Sequence, residues 1–177
     1  MNRKILVTYA SYGGTTAEIA SAIGKALAAN GAEVDVLPVT EVFNPGAYQA
    51  VIIGSGVHSG KWMPEALAFV NQYQDVLRQL PTAVFQVCMM LAGSNEQYRN
   101  LVPEWIAPLR NQIHPIAEGS FAGALLPARY PKLTEKLGLN IFLAAIKLKA
   151  GDYRDWNAIY AWAEQVSRLF MPQVIHG

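Results

Sequence analysis

The chain has 177 residues, 52% hydrophobic and 15% charged, which excludes a disordered segment and suits a single domain built around a buried sheet. Fourteen Lys and Arg against thirteen Asp and Glu leave a net charge of +1, so there is no global attraction to nucleic acid or another polyanion. One cysteine, Cys88, allows no internal disulfide, and His58, His114 and His176 lack metal-site spacing. Met1-Asn2-Arg3-Lys4 leads straight into an apolar run, and no stretch approaches the ~20 apolar residues of a membrane span. A single cytoplasmic domain covering 1–177 is expected.

Lys4–Tyr9 is β-branched and apolar and predicts a first strand. Ser11-Tyr12-Gly13-Gly14-Thr15-Thr16 follows, and a helical pattern over Thr15–Ala29 begins at once, stopped by Asn30-Gly31. Glu33–Val39 alternates as a half-exposed edge strand does, whereas Tyr48–Gly54 is continuously apolar and predicts a central strand. Met63–Leu80 has helical spacing, with Pro64 suited to a first turn. Thr82–Cys88 is the next central strand. Ser94–Ile113 is helical in pattern but broken at Pro103 and Pro108. Ile116–Ala124 makes a fifth strand, and Asp155–Phe170 an amphipathic closing helix. Strands alternating with helices indicate an α/β, doubly wound parallel sheet of five strands in the order 2-1-3-4-5.

Leu125–Gly151 remains as a helical insert after strand 5. Its centre, Leu137–Leu148, is apolar nearly all round, and its flanks hold five cations (Arg129, Lys132, Lys136, Lys147, Lys149) against one acid, Glu135. Two readings stand: a helix packed on the domain or in a homodimer interface, or a contact with an anionic membrane surface.

The first loop is the most informative segment. Gly13 and Gly14 permit positive φ, so backbone N–H groups at a helix N-terminus can surround a phosphate, with Ser11 and Thr16 donating hydroxyls. An ordinary capped βα turn has the same composition. In an open parallel sheet the loops after strands 1, 3 and 4 line the ligand crevice. The second loop, Gly54–Trp62, sets Ser55, Gly56, Val57 and Gly60 around an imidazole, His58, and an indole, Trp62. The third holds Met89, Met90, Leu91 and Gly93 ahead of Ser94, with Tyr98 within reach. Phosphate cradle plus ring-contacting loops describes a mononucleotide bearing a flat ring. His58 is the candidate proton donor near neutral pH, against the alternative of an ordinary surface histidine, and Trp62 and Met90 are ring neighbours or core.

Ser11, Gly14 and Thr16 fit the Ser/Thr-x-x-Gly-x-Thr phosphate pattern of the flavodoxin-like family, which the chain resembles over its whole length. That resemblance implies FMN, its phosphate on the first loop and its isoalloxazine between the second and third. Val51–Gly60, Phe121–Leu125 with Arg129-Tyr130-Pro131, and Asp155-Trp156 are similar to the menaquinone-dependent protoporphyrinogen oxidases of that family. Tyr12 stands where those enzymes are expected to carry a charge, and Ala150-Gly151-Asp152 is shorter than their segment. The resemblance implies an oxidoreductase passing electrons from a small-molecule substrate or redox protein through FMN to a quinone, peripheral on the inner face of the membrane. A flavodoxin-type electron carrier, or a flavin-free scaffold, are the alternatives. Ser11 and Gly54 stand where a phosphoacceptor receiver domain needs acids, and a nicotinamide fingerprint is absent.

Overall fold

The computed structural model describes residues 4–93, 95–126, 129, 132–145 and 147–171. Met1–Arg3, Ser94, Tyr130, Pro131, Ile146 and His176, and the side chains of Leu139 and Phe142, lie outside them. In chain order the elements are β1 (Lys4–Ala10), α1 (Thr15–Ala29), β2 (Glu33–Pro38), β3 (Ala50–His58), β4 (Lys61–Trp62), α2 (Pro64–Gln79) and β5 (Thr82–Val87). They continue with α3 (Glu96–Leu101), α4 (Ala107–Ile113), β6 (Ala117–Phe121), β7 (Ala124–Leu125), α5 (Leu133–Ala145), β8 (Gly151–Asp152) and α6 (Trp156–Phe170).

The five long strands run parallel in the order β2-β1-β3-β5-β6. Counted without the two-residue β4, that is the expected 2-1-3-4-5. Ile5, Leu6 and Val7 are all fully buried because both faces of β1 are covered, so the strand reads as an unbroken apolar run. Alternate residues serve opposite layers. Ile5, Val7, Ile52 and Phe85 pack with Ile19, Ile23 and Leu27 of α1 and Ile159, Trp162 and Val166 of α6. Leu6, Val51, Ile53 and Val84 pack with Phe69, Val70 and Leu77 of α2 and Leu109 and Ile113 of α4. Each such side chain is worth about 1.5–3 kcal/mol on burial, several times any helix-propensity difference, so packing sets where the helices lie.

Boundaries differ from expectation where tertiary pairing extends or cuts a pattern. The third strand continues through Ser55, Gly56, Val57 and His58, a stretch expected as loop, and turns back antiparallel with Val57 opposite Trp62. Ser59 (φ 50°) and Gly60 (φ 75°) make that turn. Gly54 must be glycine here, since a Cβ would sit 2.1 Å from the Phe85 ring. The fifth strand ends at Phe121; Ala124 and Leu125 pair instead with Asp152 and Gly151. The insert therefore leaves the domain through a two-stranded neck, and its helix is α5. No described helix is long and apolar enough to cross a membrane.

Candidate functional site

Three segments converge at the carboxyl edge of the sheet, where β1 and β3 are neighbours and the chain departs to opposite sides. In the first, Ser11 and Gly13 are half-buried and Tyr12 is 67% exposed. Gly14 caps α1 in the left-handed region (φ 81°), and no side chain caps the helix. The N–H groups of its first turn are thus left to a ligand or solvent. Thr16 is 3% exposed, yet its hydroxyl has no hydrogen-bond partner among the described residues. A hydroxyl with no protein partner beside an uncapped helix N-terminus suits a phosphate, which accepts from both. Thr15 is committed elsewhere: its Oγ1 donates to the Ala124 carbonyl at 3.2 Å, tying α1 to the insert neck.

The second segment is the hairpin β3–β4. Gly56 approaches the first segment so closely that a Cβ there would lie 3.4 Å from Thr16 Oγ1. Val57 is half-buried, and His58 is exposed opposite Lys61. Gly60 lies against Trp105, whose ring atoms are 3.4–3.6 Å from its Cβ position. Two residues of the second-loop set, Ser55 and Trp62, are interior. Ser55 is fully buried, its Oγ donating to the Gly56 carbonyl and accepting from Met63 N–H at 2.9 Å. Trp62 is 3% exposed, and its Nε1 donates to Gln86 Oε1 at 3.1 Å. Core is the reading the geometry gives Trp62, because the strand extension carries it under the sheet edge.

In the third segment, Met89–Ala92 form a 3-10 turn, with Met90 N–H pointing at Cys88 Sγ (3.4 Å). Burial pushes the Cys88 thiol pKa up, which leaves it a neutral packing group. Met89, Met90 and Gly93 line a cavity of about 390 Å³ with Asn95, Tyr98, Ala145, Lys147 and Leu148; Leu91 is half-buried beside it. Soft sulfurs, one phenol, one amide and one ammonium form its wall.

The insert spans these segments. Tyr12 hydroxyl donates to Glu135 Oε1 (3.1 Å) near the start of α5, over the first loop. At the other end Leu143 and Leu148 pack with Leu125 and Met89. Thirteen residues give a helix about 20 Å long, so α5 reaches from the phosphate segment to the ring segment. Of the two readings for the insert, packing on its own domain holds for these residues. Yet Leu137 and Ile141, one turn apart, remain 60% and 64% exposed.

Sequence reasoning gave no site contact to Gln86, Glu18, Arg129 or Arg154. Gln86, fully buried, donates to the Val102 carbonyl (2.6 Å) and Ser120 Oγ (3.0 Å) and fixes the Trp62 indole. Arg129 donates to Glu18 Oε1 at 2.6 Å. Arg154 is 7% exposed, bonds Glu18 Oε2, and holds Asp152 at 2.5 Å. Burial pushes the Glu18 carboxyl pKa up, but the hydrogen bonds from Arg129 and Arg154 outweigh it and hold the group below its ordinary value. Asp152 is held low chiefly by the Arg154 hydrogen bond. Glu18 is separated from these partners by more than a hundred residues, so no local pattern announced the cluster.

The flavodoxin domain family matches residues 6–140. Protoporphyrinogen IX dehydrogenase [quinone] of Escherichia coli (strain K12) is 23% identical over 94% of this chain and 96% of its own length. Among solved structures, Megasphaera elsdenii flavodoxin superposes with a TM-score of 0.53 at 17% identity, covering 67% of this chain and 84% of that one. The flavodiiron protein of Giardia intestinalis gives 0.52 at 20%, covering 93% of this chain and 38% of that larger protein. Both share the fold described above.

Proposed function

This chain belongs to the flavodoxin domain family, whose cofactor is FMN, and on that premise we propose that it is an oxidoreductase for a reduced tetrapyrrole of the porphyrinogen type, with a quinone as acceptor. The observation that carries this reading is the helix α5 laid from the phosphate segment to the ring segment, with a cavity between its end and Met89–Met90. A carrier that only exchanges electrons with docked proteins needs no such cover. The E. coli relative, matched along nearly its whole length, supports the same direction.

Ser11, Gly13, Gly14 and Thr16, with the N–H groups of the first turn of α1, would hold the phosphate. Gly56, Val57 and Gly60 on one side and Met89, Met90, Leu91 and Gly93 on the other would bracket the ring. FMN, when bound, supplies the electron-accepting ring that takes electrons from the substrate and passes them on. The protein's part is orientation and exclusion of water. In the cavity the two methionines offer an apolar floor to the substrate macrocycle, and Lys147 offers a cation to a carboxylate on its rim. His58, exposed on the hairpin tip, is the residue we assign to proton transfer during that exchange. Leu137 and Ile141, framed by Lys132, Lys147 and Lys149, are the face we assign to an anionic membrane surface, where a quinone would be met.

The test is anaerobic mixing of the FMN-loaded protein with protoporphyrinogen IX, followed by a menaquinone analogue. Bleaching of the flavin absorbance and its recovery on adding quinone is the expected result. Flavin that stays oxidised with the porphyrinogen, yet exchanges electrons with a redox protein, would assign the chain to the electron carriers.

A further inference from the structure

We propose that Arg129, delivered by the insert, is a direct ligand of the cofactor's phosphate dianion and makes cofactor loading and insert closure mutually dependent. The inference rests on the FMN reading and adds a residue that the phosphate pattern Ser11–Thr16 does not contain. Arg129 Nη1 lies 3.6 Å from the position a Cβ would take on Gly14 and 3.5 Å from the Gly13 carbonyl oxygen. The guanidinium therefore stands on the glycine turn whose N–H groups face a phosphate. Its backbone N–H donates to the Leu126 carbonyl at 2.9 Å, just beyond the neck. The neck is itself tied to the first turn of α1 through Thr15 and Ala124.

Charge and donor geometry favour the assignment. Glu18, one turn into α1, places a carboxylate near an anion site and would by itself repel a phosphate. Arg129 and Arg154 both bind Glu18, and Arg154 is also engaged by Asp152 and stacked over Trp156, its guanidinium carbon 4.6 Å from the ring centre. Arg154 is thus committed to the scaffold. Arg129 uses one strong contact and one long one of the five N–H donors a guanidinium has, and its side chain is 32% exposed. The remaining donors can pair with phosphate oxygens while Glu18 keeps the side chain in place. An anchored arginine on the insert that also grips the cofactor makes a closed insert favour the loaded site, and the reverse.

Titration of the full-length flavin-free protein with FMN and with riboflavin, followed by flavin fluorescence, separates the possibilities. Riboflavin has the same ring and no phosphate. Arg129→Gln is expected to weaken FMN binding by about tenfold or more and to leave riboflavin unchanged, with Arg129→Lys between. The salt dependence of FMN binding falls in the same variant by about one charge contact. In the wild-type protein, tryptic cleavage at Lys132 and Lys136 slows with FMN and not with riboflavin, a readout that needs no variant. An unchanged FMN-to-riboflavin ratio in Arg129→Gln, or equal protection by both flavins, overturns the role of Arg129 and leaves the FMN reading standing. Binding of neither flavin to the wild-type chain overturns both.

Discussion

Two threonine hydroxyls without hydrogen-bond partners show how one observation can mean strain at one position and function at another. Thr8 is fully buried in β1, between Leu37 of β2 and Ile53 of β3, and its Oγ1 has no hydrogen-bond partner. An unmet buried hydroxyl costs about 1–3 kcal/mol, and valine has the same shape without it. Thr8→Val is therefore expected to stabilise the fold by about 1 kcal/mol, read as a higher urea midpoint at unchanged slope. Thr16, also buried and unpartnered among the described residues, sits instead at the first turn of α1 beside Gly56. Thr16→Val should leave the flavin-free protein as stable or more so, and weaken FMN binding by about tenfold through one lost charge-assisted hydrogen bond. If calorimetry shows Thr16→Val destabilised and FMN affinity unaltered, the hydroxyl is structural and the phosphate is misplaced. Gly54 is explained by packing alone, since the Phe85 ring occupies the space a Cβ would need.

At the scale of elements the insert is held by a charged clasp and presents an apolar face. Glu18 and Asp152 both have carboxyls held below their ordinary values, 4.5 and 3.8, so their ionised forms favour the folded arrangement. Their contribution is complete above those ordinary values and is lost as pH falls through the lower folded ones. Acidification from pH 6 to 3 should thus open the neck before the sheet, seen as hydrogen exchange rising first in 124–152. Simultaneous exchange across β1, β3 and β5 would remove the clasp from the account. On the other side of α5, Leu137 and Ile141 share one face a turn apart. Replacing both by glutamate sets two acids where the membrane reading needs apolar contact, and partition onto anionic vesicles should fall about tenfold or more. Equal flotation of variant and wild type would give that face to another occupant, a second copy being the first to check by light scattering.

For the whole molecule, the sheet order and covering layers were legible because the central strands are short apolar runs, the edge strand Glu33–Pro38 alternates, and α1, α2 and α6 each keep one apolar stripe. The hairpin was not: Ser55-Gly56-Val57-His58 has the composition of a loop, and its pairing with β5 and Trp62 is a tertiary event. Nor could spacing show Thr15 on Ala124 or Arg129 on Glu18, contacts spanning 109 and 111 residues. The last two contacts join the neck and insert to the parent fold, and that division can be tested directly. Both large apolar clusters are made without a residue between 126 and 150, and only Leu125, Met89, Leu143 and Leu148 form the small one. Leu125 and Gly151 already face each other in the β7–β8 ladder, so a short glycine turn can replace 126–150 without moving either end. The shortened chain should fold cooperatively, with a melting temperature only a few degrees lower, since one satellite cluster is lost from an intact two-sided core. Riboflavin binding should persist, while FMN loses the increment that Arg129 supplies. Chemical reductants should still bleach the bound flavin, whereas protoporphyrinogen IX should no longer do so, because the cavity beside Met89 has lost Ala145, Lys147 and Leu148. Undiminished reduction by the porphyrinogen in that variant would move the substrate site away from the insert and onto the hairpin side, beside His58 and Trp105.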